Sequence, residues 1–297
     1  MYENNLNLKQ DFIIYLKSER NCSEETIYAY GNDIMQFYNF LEQENKYFKI
    51  QEVTTREIRH YIYYMKEIKT FCNNSINRKI NCLKSFFKFL YTQEYIDKNP
   101  MLAITAPSKV QPLPIYFSSE DVVKMLNAPN NFPSEFSIRD TAILTVLFYT
   151  GVRRNELINL NWKDINFGER TIKIVKAKGN KQRIIPMIDQ VQEALWKYLN
   201  SLLPLNNDFV FLSEKGNRIS ETCLYHTFNK YLNLTGLNNK NYTIHKCRHT
   251  FATLLLKNEV DLITIQELLG HNSLDTTKVY LHLDNASKRK AIEKIIL

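Results

Sequence analysis

Several residues in the C-terminal two thirds of this 297-residue chain have side chains that could handle a phosphate or a metal. Thr150-Gly151-Val152-Arg153 closes an apolar stretch on an abrupt arginine, which could face an anion or simply cap a helix end in water. Lys178 stands beside Gly179 in a basic turn, either reaching for a ligand or solvated at a hairpin tip. His245 and Arg248 are three apart and share a face if helical. His245 and His249 are four apart, a spacing that also suits a metal pair. No Glu follows His245 in the His-Glu-x-x-His manner and no third ligand is nearby, so no metal site is expected. His271 follows Gly270 at what reads as a capped helix end, and Tyr280 is one of 18 tyrosines. Each signal alone has an ordinary structural explanation.

Composition narrows the chemistry. Lys and Arg number 39 against 31 Asp and Glu, a net charge of +8. Residues 1–105 hold 14 basic and 13 acidic side chains, so nearly all of the excess belongs to the remainder. Such a surface suits phosphate neutralisation on a nucleic acid, or is simply solvated. Hydrophobic residues make up 44%, which excludes disorder as the main state, and the length suggests about two domains. The apolar stretch Ala142–Tyr149, broken by Thr145, is far short of the ~20 residues of a membrane span. No signal-peptide pattern opens the chain, and five scattered cysteines without C-x-x-C spacing read as reduced thiols, so a cytoplasmic protein is expected. Glycine is scarce, with 7 residues, so few positions should need a positive φ. Gly151, Gly179 and Gly270 lie within two residues of Arg153, Lys178 and His271.

The elements that must position these residues are mostly helices. Four are expected in the first third. Leu8, Phe12, Ile13, Tyr15 and Leu16 mark the first, and Ser23-Glu24-Glu25-Thr26 opens the second. Thr54-Thr55-Arg56-Glu57 opens the third, and the fourth runs from Asn74 to Tyr95. Pro100, Pro107, Pro112 and Pro114 mark an extended linker. Ser118-Ser119-Glu120-Asp121 then starts a second domain, followed by a buried helix over about Ile138–Tyr149. Three short antiparallel strands fit Asp164–Asn166, Thr171–Val175 and Arg183–Pro186, with Ile172 and Ile174 on the inner face. Helix returns over Gln190–Leu203 and dominates from Ser220 onward.

Taken together, the individual signals become specific. In order the chain reads Thr150-Gly151-Val152-Arg153-Arg154-Asn155-Glu156-Leu157, Lys178-Gly179, His245-Lys246-Cys247-Arg248-His249, Leu268-Leu269-Gly270-His271, and Tyr280 nine residues past His271. This set resembles the tyrosine recombinase (phage integrase) family, whose pattern is T-G-x-R-x-x-E-L, a hairpin Lys, H-x-x-R-H, L-G-H and a Tyr at that spacing. The motifs cover residues 106–297. Over residues 1–105 the resemblance rests on size and helical character. Cys247 stands where the family usually has Leu, and Ala177 where it often has Gly.

The resemblance implies a mainly α protein with a small antiparallel β-sheet. Residues 1–105 would form a helical, SAM-like core DNA-binding domain, 106–116 a linker, and 117–297 the catalytic domain with a C-terminal tail helix. It implies that Tyr280 attacks the scissile phosphate, leaving a 3′-phosphotyrosine and a free 5′-hydroxyl. Tyrosine has a pKa near 10, so its phenolate lies roughly 4 kcal/mol uphill at pH 7. Arg153 and Arg248 would offset that cost, because a guanidinium stays charged and grips two phosphate oxygens. His245 would hydrogen-bond or take the tyrosine proton, His271 would donate to a phosphate oxygen, and Lys178 would protonate the 5′-oxygen. Glu156 would orient an active-site side chain.

No metal and no other cofactor is implied. The implied partner is a double-stranded DNA recombination site, acted on through a Holliday junction by a homo- or hetero-tetramer with a related recombinase in the minimal, Xer-like plan. A DNA translocase or accessory protein is a further candidate partner, and a membrane is not. Chromosome partition and mobile-element movement both fit this plan. The stripe Ala291, Ile292, Ile295, Ile296, Leu297 behind Lys288-Arg289-Lys290 would pack on its own domain or dock on a neighbouring protomer. Rival readings are type IB topoisomerase-like relaxation, a DNA-binding protein without exchange activity, and a metal-dependent nuclease, for which ligands are lacking.

Overall fold

The computed structural model describes residues 2–45, 48–107, 115–175 and 182–270. The chain divides into two compact units, Met1–Gln111 and Pro112–Leu297. Among the described residues, no helix is long and apolar enough to cross a membrane.

The first unit contains α1 (Tyr2–Ser18), α2 (Glu24–Glu44), α3 (Thr55–Tyr63) and α4 (Asn73–Thr92), with a 3-10 turn at Ile50–Glu52. The expected caps are present. The Ser23 hydroxyl accepts from the Thr26 N–H, and Glu57 accepts from the Thr54 N–H at 2.9 Å. One departure is that α3 continues into a π-helical turn, Tyr64–Ile68. The core is aromatic: Phe12, Phe37, Tyr38, Tyr61, Phe86 and Phe87 are almost wholly buried. Asn5 is buried without an unmet group. Its amide donates to the Phe48 carbonyl and accepts from the Ile50 N–H, and its backbone carbonyl accepts from the Tyr38 hydroxyl. Beyond α4, Met101 and Ile104 join this core, and the Asn77 amide donates to the Pro107 carbonyl. Most of the expected linker, residues 108–114, lies outside the described residues.

The second unit is built on α6 (Ser137–Thr150), whose Ala142, Ile143, Leu144, Val146 and Leu147 have no exposed surface. A helix apolar all round must be packed all round. Around it lie α5 (Ser119–Asn131), α8 (Asp189–Ser201), α9 (Glu221–Leu234) and α10 (Ile244–Lys257). The five-residue α7 (Arg154–Ile158) follows α6, and α11 (Leu262–Leu269) follows α10, started by the Asp261 carboxylate on the Ile263 and Thr264 N–H groups. Strands β1 (Ile165–Asn166), β2 (Thr171–Val175) and β3 (Gln182–Pro186) form an antiparallel sheet in that order. Its register places Ile172 opposite Ile185 and Ile174 opposite Arg183. Ile172, Ile174 and Ile185 face the core, as the two-residue period requires.

Glycine scarcity proves a poor guide to turn geometry. Asn21, Thr70, Glu94, Arg170, Asn241 and Glu259 adopt positive φ without being glycine. The chain tolerates this cost at helix ends and turns, while keeping glycine at 151 and 270, where space is also short.

Candidate active site

The site begins at the end of α6. Gly151 has φ +59°, and a Cβ there would lie 2.5 Å from Phe251 Cδ1 and 3.1 Å from Leu269 Cδ2. Backbone conformation and the close approach of α10 and α11 therefore both demand glycine. The turn delivers Arg153 to the N-cap of α7. Three residues on, Glu156 accepts the Arg153 backbone N–H at 2.8 Å and its guanidinium Nη1 at 2.9 Å. The Arg-x-x-Glu spacing thus serves the helix start and the side chain together.

A second arginine completes this carboxylate's shell. Arg183 of β3 donates Nη1 to Glu156 Oε1 (2.9 Å) and Nη2 to Oε2 (2.7 Å), with Nε on the Leu268 carbonyl (2.8 Å). Burial by itself would raise the Glu156 pKa. The bonds from Arg183 and the Arg153 backbone, with the two positive charges, overcome it and hold the carboxyl at about 2. Sequence reasoning missed Arg183. A signal was present: alternation puts it on the same face as Ile185, and a charged residue on the inner face of a strand needs a partner.

Helix α10 supplies the third guanidinium. Arg248 is 3% exposed; its Nη1 donates to the Gly151 carbonyl at 2.7 Å and its Nη2 to the Leu269 carbonyl at 2.5 Å. Arg153 reaches the same Leu269 oxygen at 3.4 Å and the Gly270 oxygen at 3.2 Å. Residues 95 positions apart in sequence therefore meet at one carbonyl. The last carbonyls of α11 lack helical donors and carry the negative end of its dipole, so they attract cations. Gly270, at φ +63°, ends α11 immediately before His271 in the chain.

His245 lies on the surface of the same unit. Desolvation, then Arg248, Lys246, Arg153 and Arg154, lower its pKa, so the ring is neutral at pH 7. Its edge-to-face neighbour His249, at 4.9 Å between centroids, is lowered to about 4, first by desolvation and then by His245 and nearby cations. Among the described residues no three His, Cys, Asp or Glu side chains gather as a metal-ligand set. Cys247 is fully buried, and burial raises its thiol pKa, so it packs as a small apolar residue. A cleft of about 810 Å³, lined by Arg153, Arg154, Tyr225, Asn229, Thr243 and His245 among others, opens beside the cluster. Its cations and amides suit an anionic ligand.

The structure thus brings Arg153, Glu156, Arg248 and His245 to one region. Lys178, His271, Tyr280 and the tail helix lie outside the described residues.

Comparison with known proteins agrees with the motif reading. The pattern of the phage integrase family matches residues 116–287, and that of the phage integrase N-terminal SAM-like domain matches residues 10–94. The chain is 33% identical over 293 residues to the tyrosine recombinase XerC of Natranaerobius thermophilus, covering 96% of both chains. It is 34% identical over 288 residues to that of Staphylococcus epidermidis, covering 95% of both. Among solved structures it is similar to the XerA recombinase (TM-score 0.55, 29% identity, 99% of both chains). Its fold is also similar to that of the XerH recombinase bound to palindromic difH substrate in a post-cleavage complex (TM-score 0.78, 24% identity, 97% of this chain and 86% of that one). With a SAM-like N-terminal domain and a catalytic C-terminal domain, the chain belongs to the phage integrase family of tyrosine recombinases, Xer-like enzymes of site-specific recombination that break and rejoin DNA through a phosphotyrosine without a metal.

Proposed function

We propose that Arg153 and Arg248 grip the scissile phosphate of a double-stranded recombination site and that Tyr280 is the nucleophile. The observation that carries this reading is the meeting of both guanidiniums at the Leu269 carbonyl, beside a cleft that Arg153 and Arg154 help to line. Two permanently charged forks held together match the two non-bridging oxygens of one phosphate. They offset the charge that builds as the tyrosine oxygen bonds to phosphorus and the bond to the 5′-oxygen breaks. The products are a 3′-phosphotyrosine and a 5′-hydroxyl. Neutral His245 is suited to receive the tyrosine proton at pH 7. Lys178 supplies the proton to the leaving 5′-oxygen, and His271 donates to the phosphate. Glu156 holds Arg153 in place. Attack by a 5′-hydroxyl from another strand reverses the step, so the phosphodiester energy is retained without a nucleotide cofactor.

Exchange between duplexes requires two such sites on each, so four protomers act through a Holliday junction, alone or with a related recombinase. That XerH was captured on difH DNA after cleavage supports a DNA site as the substrate.

A nicked suicide substrate tests the reading, because the cut fragment diffuses away and strands the covalent intermediate. Wild-type protein should give a DNA–protein band on a denaturing gel, in EDTA as in its absence. Tyr280→Phe should bind the same DNA and give no such band. A persistent adduct in the variant would overturn the assignment.

A further inference from the structure

The second cation on Glu156 has no part in the chemistry just described. Arg183 is a strand residue, its side chain is 9% exposed, and it donates bonds to three oxygens on two elements. A buried guanidinium is costly unless its donors are met, so this arrangement holds only if α7 and the end of α11 both stay in place. Arg153 already gives Glu156 one positive charge. What Arg183 adds is direction: its fork takes both carboxylate oxygens at once and fixes the plane of the group. The same carboxylate holds the Arg153 backbone and Nη1, so the orientation of Glu156 passes to Arg153.

Two further contacts extend this role. A Cβ at Gly270 would lie 3.0 Å from Arg183 Cδ, so the arginine stem runs against the turn that leads to His271. In the sheet, Ile174–Arg183 and Val175–Gln182 are the last described pairs before the segment that carries Lys178. Arg183 therefore ties the described end of the β2–β3 pair to the carbonyl end of α11, where Arg153 and Arg248 meet.

We infer that Arg183 is a positioning residue: it sets Arg153 through Glu156 and fixes β3 against the same helix end. This rests on the phosphate-binding reading of Arg153. Because the role depends on a two-pronged donor, lysine should not replace it.

Single-turnover cleavage of the suicide substrate at saturating protein tests the inference. Rate constant, amplitude and DNA affinity are read separately. Arg183→Ala should lower the rate constant on the order of 100-fold. Affinity should stay within about threefold and amplitude near wild type. Arg183→Lys should fall nearly as far, and it serves as the test variant if Arg183→Ala does not fold. In a Glu156→Gln background, removing Arg183 should cost little more, since the two act as a unit. A merely structural role would lower the amplitude and leave the rate constant. That result, a rate constant within about threefold of wild type, or losses that multiply in the double variant would each overturn the inference. Tyr280→Phe run in parallel separates the failures. An adduct that survives in that variant sinks the underlying reading, whereas normal adduct chemistry with an unimpaired Arg183→Ala sinks only this one.

Discussion

Among the described residues, each unit has one buried carboxylate gripped by two cations, and the bonds of the two clusters lead to different places. In the first unit Asp33 (1% exposed) pairs with buried Lys79 and half-exposed Arg78. In the second, Glu156 (9%) pairs with buried Arg183 and the partly exposed Arg153. The electrostatic plan is the same: a desolvated anion is tolerable only with partners that meet its lone pairs. What differs is where the bonds lead. Lys79 turns back to Asp33 and Gln36, so that cluster ties α2 to α4. The Glu156 cluster joins β3, α7 and the end of α11, and it leaves a guanidinium facing the cleft. Charge burial alone therefore does not distinguish the two clusters; what the exposed cation faces does.

The largest effects should separate the two exposed cations. Arg153→Ala or Arg248→Ala should lower single-turnover cleavage about 10³-fold, the scale for losing a transition-state donor. Arg78→Ala at saturating protein should leave the rate constant within a few-fold, and a matching loss there would erase the distinction. Next come the anions. Asp33→Asn leaves Lys79 buried without its counter-ion and should cost about 3 kcal/mol of first-unit stability, read by denaturant titration. Glu156→Gln should cost about 3 kcal/mol at pH 7 from the cited pKa depression, and should slow cleavage as well. Because the folded-state pKa of Glu156 is depressed from 4.5 to about 2, this stabilisation is complete above pH 4.5 and fades as pH falls toward 2. The difference between wild type and Glu156→Gln should narrow over that window, and a constant difference would reject the ionic origin. The smallest effect belongs to an ion pair with neither burial nor a destination: Lys49→Ala, which removes the exposed Lys49–Glu52 pair, should change stability by less than about 0.5 kcal/mol.

Much of this was legible from particular residues. Ser23, Thr54 and Ser118 announced helix starts because capping is local chemistry. Ile172 and Ile174 revealed the sheet's inner face by alternation. Arg153 and Glu156 came through the motif resemblance, which gave Glu156 an orienting role without naming its partner; the structure makes that partner Arg153, three residues away at the start of α7. Their convergence with Arg248 came through the motif resemblance, since no local rule links residues 95 apart. Arg183 and the Asp33–Lys79 pair were not seen because their partners stand 27 and 46 residues away, joined by packing rather than periodicity. The role of the Leu269 carbonyl was hidden for another reason: every residue has a carbonyl, and only the helix end makes this one available.

The central claim is that Arg153 and Arg248 serve the negative charge of one scissile phosphate. Replacing one non-bridging oxygen of that phosphate with a methyl group removes the charge while keeping the bond to be broken. The measurement is single-turnover cleavage of the methylphosphonate substrate by wild type, Arg153→Ala and Arg248→Ala. The variants should lose about 10³-fold on ordinary DNA and recover most of that loss relative to wild type on the neutral substrate. Equal losses on both substrates would contradict the account and place the two arginines in a role other than neutralising the reacting phosphate.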